Sequence, residues 1–226
     1  MNRQWILGGL VAVAVVALAA IAYFYVYGGS SAGDTGPAVA DNGKYIITLT
    51  SRDRAQGDPK APIQMIEYAA PTCPVCAAFD MTIFPQLKKQ YIDTGKVYYV
   101  FRVFPLSRVD VAAESMARCL PPENYFPFID QLYRNQPQWD PDGHDIPDVH
   151  AALLQMAAVA GMPGDQAETC MRDTAKAAEI SQIGTDAQTK YEITATPSFI
   201  VNGEKRVGVS TWEDWQDYLN QMLAKH

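Results

Sequence analysis

The 226-residue chain is 48% hydrophobic, enough to fill one sizeable core, and its 25 acidic residues against 18 basic ones give a formal charge of -7. That balance excludes a nucleic-acid partner, and because the acids are scattered they read as a solvated surface. The 4 cysteines are an even number, as a chain that pairs them in disulfides requires.

Arg3 opens the chain, followed by an uncharged, mostly apolar run from about Trp5 to Tyr27, close to the length of a membrane-spanning helix. The basic residue precedes the run, which keeps the amino end in the cytoplasm and exports the remainder. Residues 1–29 therefore read as a transmembrane anchor. The alternative is a cleaved signal peptide, with Ala17-Leu18-Ala19 or Ala20-Ile21-Ala22 as the cleavage site; the apolar run continues past both, which favours the anchor. Either way the body works outside the cytoplasm, where disulfides persist. Residues 30–43, rich in Gly, Ser, Ala and Asp, read as a flexible linker.

Tyr45 to Leu49 is β-branched and aromatic, as a first strand would be, and Ser51 to Pro62 reads as a loop. A buried strand over Ile63 to Ala70, bounded by Pro62 and Pro71, then feeds a helix expected from about Pro74 to Tyr91. Gly95 breaks that pattern before a further strand over Val97 to Phe104, a β-α-β unit that implies parallel strands. Helical stretches recur at Ala112 to Cys119, Tyr125 to Asn135, Asp148 to Ala160 and Gln166 to Ser181. The β signal returns at Ile193 to Val201. Asn202-Gly203 marks a hairpin into Lys205 to Val209, and Thr211 caps a last helix whose Trp212, Trp215, Leu219 and Met222 form a core stripe. The fold class is α/β, with a domain formed by residues 44–106 and 182–226 interrupted by a helical insertion over 107–181.

Between the second strand and its helix lies Cys73-Pro74-Val75-Cys76. Two cysteines at this spacing can close a disulfide, and the first sits beside unpaired backbone N–H groups that favour the attacking thiolate. The pair reads as a redox-active dithiol. Half of a zinc site and a structural disulfide are the competing readings. Zinc would need two further ligands, and Cys119 and Cys170 are single and far apart in sequence.

Several separate pieces resemble the thioredoxin superfamily, and specifically the DsbA-like thiol:disulfide oxidoreductases of the bacterial cell envelope. Gly57-Asp58-Pro59-Lys60-Ala61-Pro62 is similar to the family's lead-in, Cys73-Pro74-Val75-Cys76 to its active site, Phe101-Arg102-Val103-Phe104-Pro105-Leu106 to its next strand and loop, and Thr196-Pro197 to its cis-proline segment. The match runs from about Tyr45 to the carboxyl end and includes the helical insertion. Val75 stands where the family's strongest oxidants carry histidine.

The resemblance implies an enzyme that introduces disulfides into exported proteins by exchange at Cys73 and Cys76, in the periplasm or cell envelope. Cys73 is expected to be the nucleophile and Cys76 the resolving thiol. Glu67, six residues before Cys73, is expected to lie beneath the pair and exchange protons with Cys76. Thr196 and Pro197, if cis, would offer backbone to an extended substrate peptide. Cys119 and Cys170 are expected to pair as a structural disulfide of the insertion, against two reduced thiols or a regulatory pair. No cofactor or metal is expected. The expected partners are reduced or unfolded exported proteins, a DsbB-like membrane protein that passes electrons to quinone, and the membrane itself; the chain is expected to be a monomer. An envelope reductase or isomerase, and a redox-inert peptide-binding chaperone, are the alternative functions.

Overall fold

A computed structural model describes residues 39, 40 and 42–225, and everything below refers to these. The expected anchor over residues 1–29 lies outside them. No helix among the described residues is long and apolar enough to cross a membrane.

A five-stranded sheet forms the centre, in the order β1 (Arg54–Gln56), β3 (Val97–Val103), β2 (Ile63–Ala69), β4 (Ser198–Val201) and β5 (Glu204–Val207). β2 and β3 run parallel, with Ile63 opposite Val97 and Ala69 opposite Val103, while β1, β4 and β5 add antiparallel pairings. The parallel pair follows from the crossover between them: α1 (Pro74–Thr82), α2 (Phe84–Leu87) and a π-helical turn (Lys88–Ile92). The helix expected to run unbroken to Tyr91 divides here because Pro85 has no N–H to give the Met81 carbonyl.

β2 is buried on both faces, and strand alternation sorts its residues. Met65 and Ala69 join the α1 side, where Phe79, Phe199 and Trp215 of α9 (Trp212–Leu223) stack with centroids 4.8–6.0 Å apart. Ile66 and Tyr68 face the other side, against Val100, Ile200 and Tyr191. Glu67 shares the parity of Met65, so it points under α1.

The segment expected as a first strand, Tyr45–Leu49, makes only an isolated bridge from Tyr45 to Val39. Its carbonyls go to side chains instead. The Tyr191 hydroxyl donates to Ile46 O at 3.2 Å and Arg102 Nη2 to Thr48 O at 2.7 Å, with the same guanidinium paired to Asp53. The true edge strand, β1, falls in the expected loop and pairs with Tyr99 to Phe101. Gly57, just after β1, has φ +95°, and a Cβ there would lie 2.6 Å from Val97 O, so the turn into β2 requires glycine. At the β4–β5 turn Asn202 and Gly203 both have positive φ (46° and 84°), as a two-residue hairpin needs.

The helical insertion comprises α3 (Arg108–Ala117), α4 (Pro122–Arg134), α5 (Gln136–Trp139), α6 (Val149–Val159), α7 (Gly164–Arg172) and α8 (Thr174–Tyr191). The stretch expected as one helix over Gln166–Ser181 is two. Asp173 leaves helical geometry to cap α8, accepting the Lys176 N–H, and α8 continues to Tyr191, where Glu192 ends it at φ 51°. Met116, Phe128, Leu132 and Trp139 belong to the same continuous core as Met65, Phe79 and Phe199, so the insertion and the sheet share one apolar interior.

Candidate active site

Cys73 is the N-cap of α1, with φ -75° and ψ 115°. Pro74 at the first helical position has no N–H to leave unpaired, and the Cys73 sulfur takes the place that a serine or aspartate oxygen usually fills, accepting the Cys76 N–H at 3.2 Å. On its other side the Cys73 thiol lies 3.6 Å from Thr196 O, to which it donates when protonated. Both cysteines are free thiols, Cys73 reached by a sliver of solvent and Cys76 fully enclosed.

These surroundings divide the pair. The Cys76 thiol, with the Thr196 side chain and the backbone N–H groups of Cys76 and Val75, holds Cys73 down to about 6 against the opposing effect of burial. Burial, and then the hydrogen bond and charge of the Cys73 sulfur beside it, push Cys76 far above the usual thiol range. One sulfur is therefore a thiolate at neutral pH and the other a firm thiol.

Glu67 is 2% exposed, and burial pushes its carboxyl up to about 8, the Tyr99 hydrogen bond lowering it and the charges of Asp80 and Cys73 raising it. Its hydrogen bond goes to Tyr99, whose hydroxyl donates to Oε2 at 2.6 Å. Among the described residues no hydrogen bond joins Glu67 to Cys76; their coupling is electrostatic, the charge of an ionised Glu67 disfavouring the Cys76 thiolate. Asp80, on the turn of α1 after Cys76, is pushed up to about 7 by burial and then by Asp130.

Thr196-Pro197 is a cis peptide, and it brings the Thr196 carbonyl to the Cys73 sulfur. Pro197 O accepts the Gly208 N–H at 2.9 Å. Around this point lie exposed apolar side chains: Val75 between the cysteines, and Val207 and Val209 flanking Gly208. Cys119 and Cys170 are bonded to each other, joining the end of α3 to α7 across a sequence separation of 51.

Two residues at the site escaped the sequence reading. Asp110, fully buried on α3, accepts the N–H groups of Thr72, Leu106 and Ser107 at 2.9 Å each. Ser107-x-x-Asp110 is a capping box legible in the sequence, though its reach to Thr72 is not. Gln136 on α5 bonds the backbone on either side of Thr72, and no sequence pattern marks it.

A family profile described as Thioredoxin matches residues 49–221. A relative from Rickettsia prowazekii (strain Madrid E), named "Putative protein-disulfide oxidoreductase", is 33% identical over 162 residues, covering 71% of this chain. The chain spans 58% of that relative's length. The crystal structure of alpha-DsbA1 from Wolbachia pipientis superposes with a TM-score of 0.73 at 31% identity, over 79% of this chain and 94% of that one. Oxidised BdbD from Bacillus subtilis shares the fold at 20% identity, with a TM-score of 0.63 over 76% of this chain and 93% of that one. With a thioredoxin profile matching most of its length and a fold shared with alpha-DsbA1 at 31% identity, the chain belongs to the thioredoxin family, in its DsbA-like branch.

Proposed function

We propose that the chain is a thiol:disulfide oxidoreductase acting as an oxidase, introducing disulfides into reduced exported proteins. The observation that carries this reading is the asymmetry of the dithiol: Cys73 held down to about 6 at the partly open helix start, Cys76 enclosed and held protonated. A low-pKa thiolate is a good leaving group, so a disulfide containing it is readily attacked and the reduced form is the favoured product.

In the oxidised enzyme a substrate thiolate attacks Cys73 Sγ. The substrate–Cys73 bond forms, the Cys73–Cys76 bond breaks, and Cys76 leaves as a thiolate. Glu67, still protonated at neutral pH, is the buried acid that supplies its proton. A second substrate thiolate then attacks the substrate sulfur of the mixed disulfide, forming the substrate disulfide and releasing the Cys73 thiolate, which the α1 N–H groups receive. The substrate leaves with one disulfide, the enzyme keeps the two electrons as the Cys73 thiolate and the Cys76 thiol, and Glu67 regains from solvent one of the protons the substrate thiols released. Thr196 and Pro197 flank the sulfur where an extended peptide would lie, and Val75, Val207 and Val209 offer it apolar contact. The Cys119–Cys170 bond serves as a structural clamp within the insertion.

Returning the enzyme to its disulfide form requires an electron acceptor, and a DsbB-like membrane protein passing electrons to quinone suits an envelope location. That location, with residues 1–29 as anchor, is supported by the apolar run after Arg3. Replacement Cys73→Ser tests the mechanism through oxidative refolding of a reduced substrate. Loss of all acceleration is expected, and refolding at the unaltered rate overturns the reading.

A further inference from the structure

The turn that carries the dithiol is held from outside its own domain. It runs from Ala70 to Cys73 and is closed by the Cys73 N–H on Ala70 O at 3.0 Å. Pro71 has no N–H to contribute. Its carbonyl accepts Gln136 Nε2 at 2.8 Å, and the same amide nitrogen donates to Cys73 O at 3.1 Å. Cys73 O also accepts the Ala77 N–H at 3.0 Å, the first bond of the helix. The N–H of Thr72, between the two bridged carbonyls, goes to Asp110. Three polar groups of this turn are thus satisfied by two buried side chains of the insertion.

The position of the bridge matters for the sulfur. Cys73 Sγ receives the Cys76 N–H only while Cys73 keeps the extended backbone of an N-cap residue, since rotation of its peptide plane swings the side chain off the helix axis. The Cys73 carbonyl is one edge of that plane, and Gln136 holds it together with the Ala77 N–H of the helix. At 6% exposure the amide has little water to exchange with, so removing its donor would leave Pro71 O buried without a partner.

We propose that Gln136 is a positioning residue of the dithiol site: by bridging the Pro71 and Cys73 carbonyls from the helical insertion, it holds Cys73 in the cap geometry that aims the α1 N–H groups at its sulfur. It touches no reacting atom and acts through the Cys73 backbone. The insertion thereby controls the reactivity of a thiol on another element, a role beyond covering the sheet. This inference rests on the reading of Cys73 as the reactive thiolate.

The test is the pH profile of Cys73 alkylation by iodoacetamide in the reduced full chain, followed from about pH 4 to 9. Gln136→Met keeps the side-chain length and removes the N–H donors. Gln136→Asn withdraws the amide by one methylene, and takes the place of the Met variant if that chain does not fold. Gln138→Met, on the same short helix at an exposed position bonded only to Asn135, is the control. The wild-type midpoint is expected near 6. In the Gln136 variant it moves upward by about half a unit or more, a fall of about twofold in thiolate at pH 6, while Gln138→Met leaves it in place. A folded Gln136 variant with the wild-type midpoint overturns the proposal, as does an equal shift in Gln138→Met. Failure of the underlying reading shows separately, in a wild-type chain whose Cys73 is not preferentially alkylated at mildly acidic pH.

Discussion

Glu67 is the residue at which burial and chemistry conflict most openly. A carboxyl raised to about 8 by burial, with the Tyr99 hydrogen bond only partly opposing, is paid for in stability whenever it must ionise. Its folded value lies above its ordinary 4.5, so its contribution is full below 4.5 and is lost as pH rises through 8. Between those values the wild type should lose up to about 1.4 kcal/mol per pH unit relative to Glu67→Gln. Urea midpoints of the two chains across this window read the difference, and parallel curves would show that Glu67 is not buried as an acid. Cys73 works with the opposite sign: a depressed thiol adds stability to the reduced chain above its ordinary value, lost as pH falls through about 6. At this scale the sequence was informative where a residue carries its own chemistry, as with Cys73, Cys76 and Glu67. It was silent where a role comes from tertiary placement. Gln136 lies in a Gln-Pro-Gln-Trp stretch that reads as loop, and only folding brings it to Pro71. Glu67 was expected beneath the pair from its buried strand and the family resemblance, whereas its partner Tyr99, on the neighbouring strand, was not foreseen.

Elements with strong local signals matched their sequence patterns, and those decided by partners did not. The Thr211 cap is a complete capping box with Asp214, and α9 places Trp215, Leu219 and Met222 on one buried face. Thr211→Ala should cost about 1 kcal/mol, seen as a lower thermal midpoint with Cys73 reactivity unchanged. An unchanged midpoint would mean that the helix end is held by packing alone. β1 illustrates the reverse case. Arg54-Ala55-Gln56 has no strand propensity and exists as a strand because β3 offers it an open edge, while the β-rich Tyr45–Leu49 spends its carbonyls on Tyr191 and Arg102. The break after Thr82 and the division at Asp173 were missed, although Pro85 and an aspartate able to cap α8 mark them.

At the scale of the molecule, the insertion is tied to the sheet by one shared core and, through Asp110 and Gln136, to the turn bearing the dithiol. Its own helices α3 and α7 are joined by Cys119–Cys170. Replacing both cysteines by alanine should cost about 2–4 kcal/mol in denaturant unfolding, because the bond restricts a long loop of the unfolded chain. The alkylation profile of Cys73 should stay in place, and a large shift would assign that disulfide a regulatory role. The presence of a helical block was visible in the sequence as a long stretch without strand signal, but its grip on the active-site turn depends on contacts between residues 38 to 65 positions apart.

The central claim is that the Cys73–Cys76 pair is an oxidant, and its reduction potential, measured at equilibrium with glutathione, tests it most directly. The stabilised Cys73 thiolate predicts a potential well above thioredoxin's value of about -270 mV, toward the range of about -120 mV found for strong oxidases. A potential at or below that of thioredoxin would contradict the claim and make the chain a reductant.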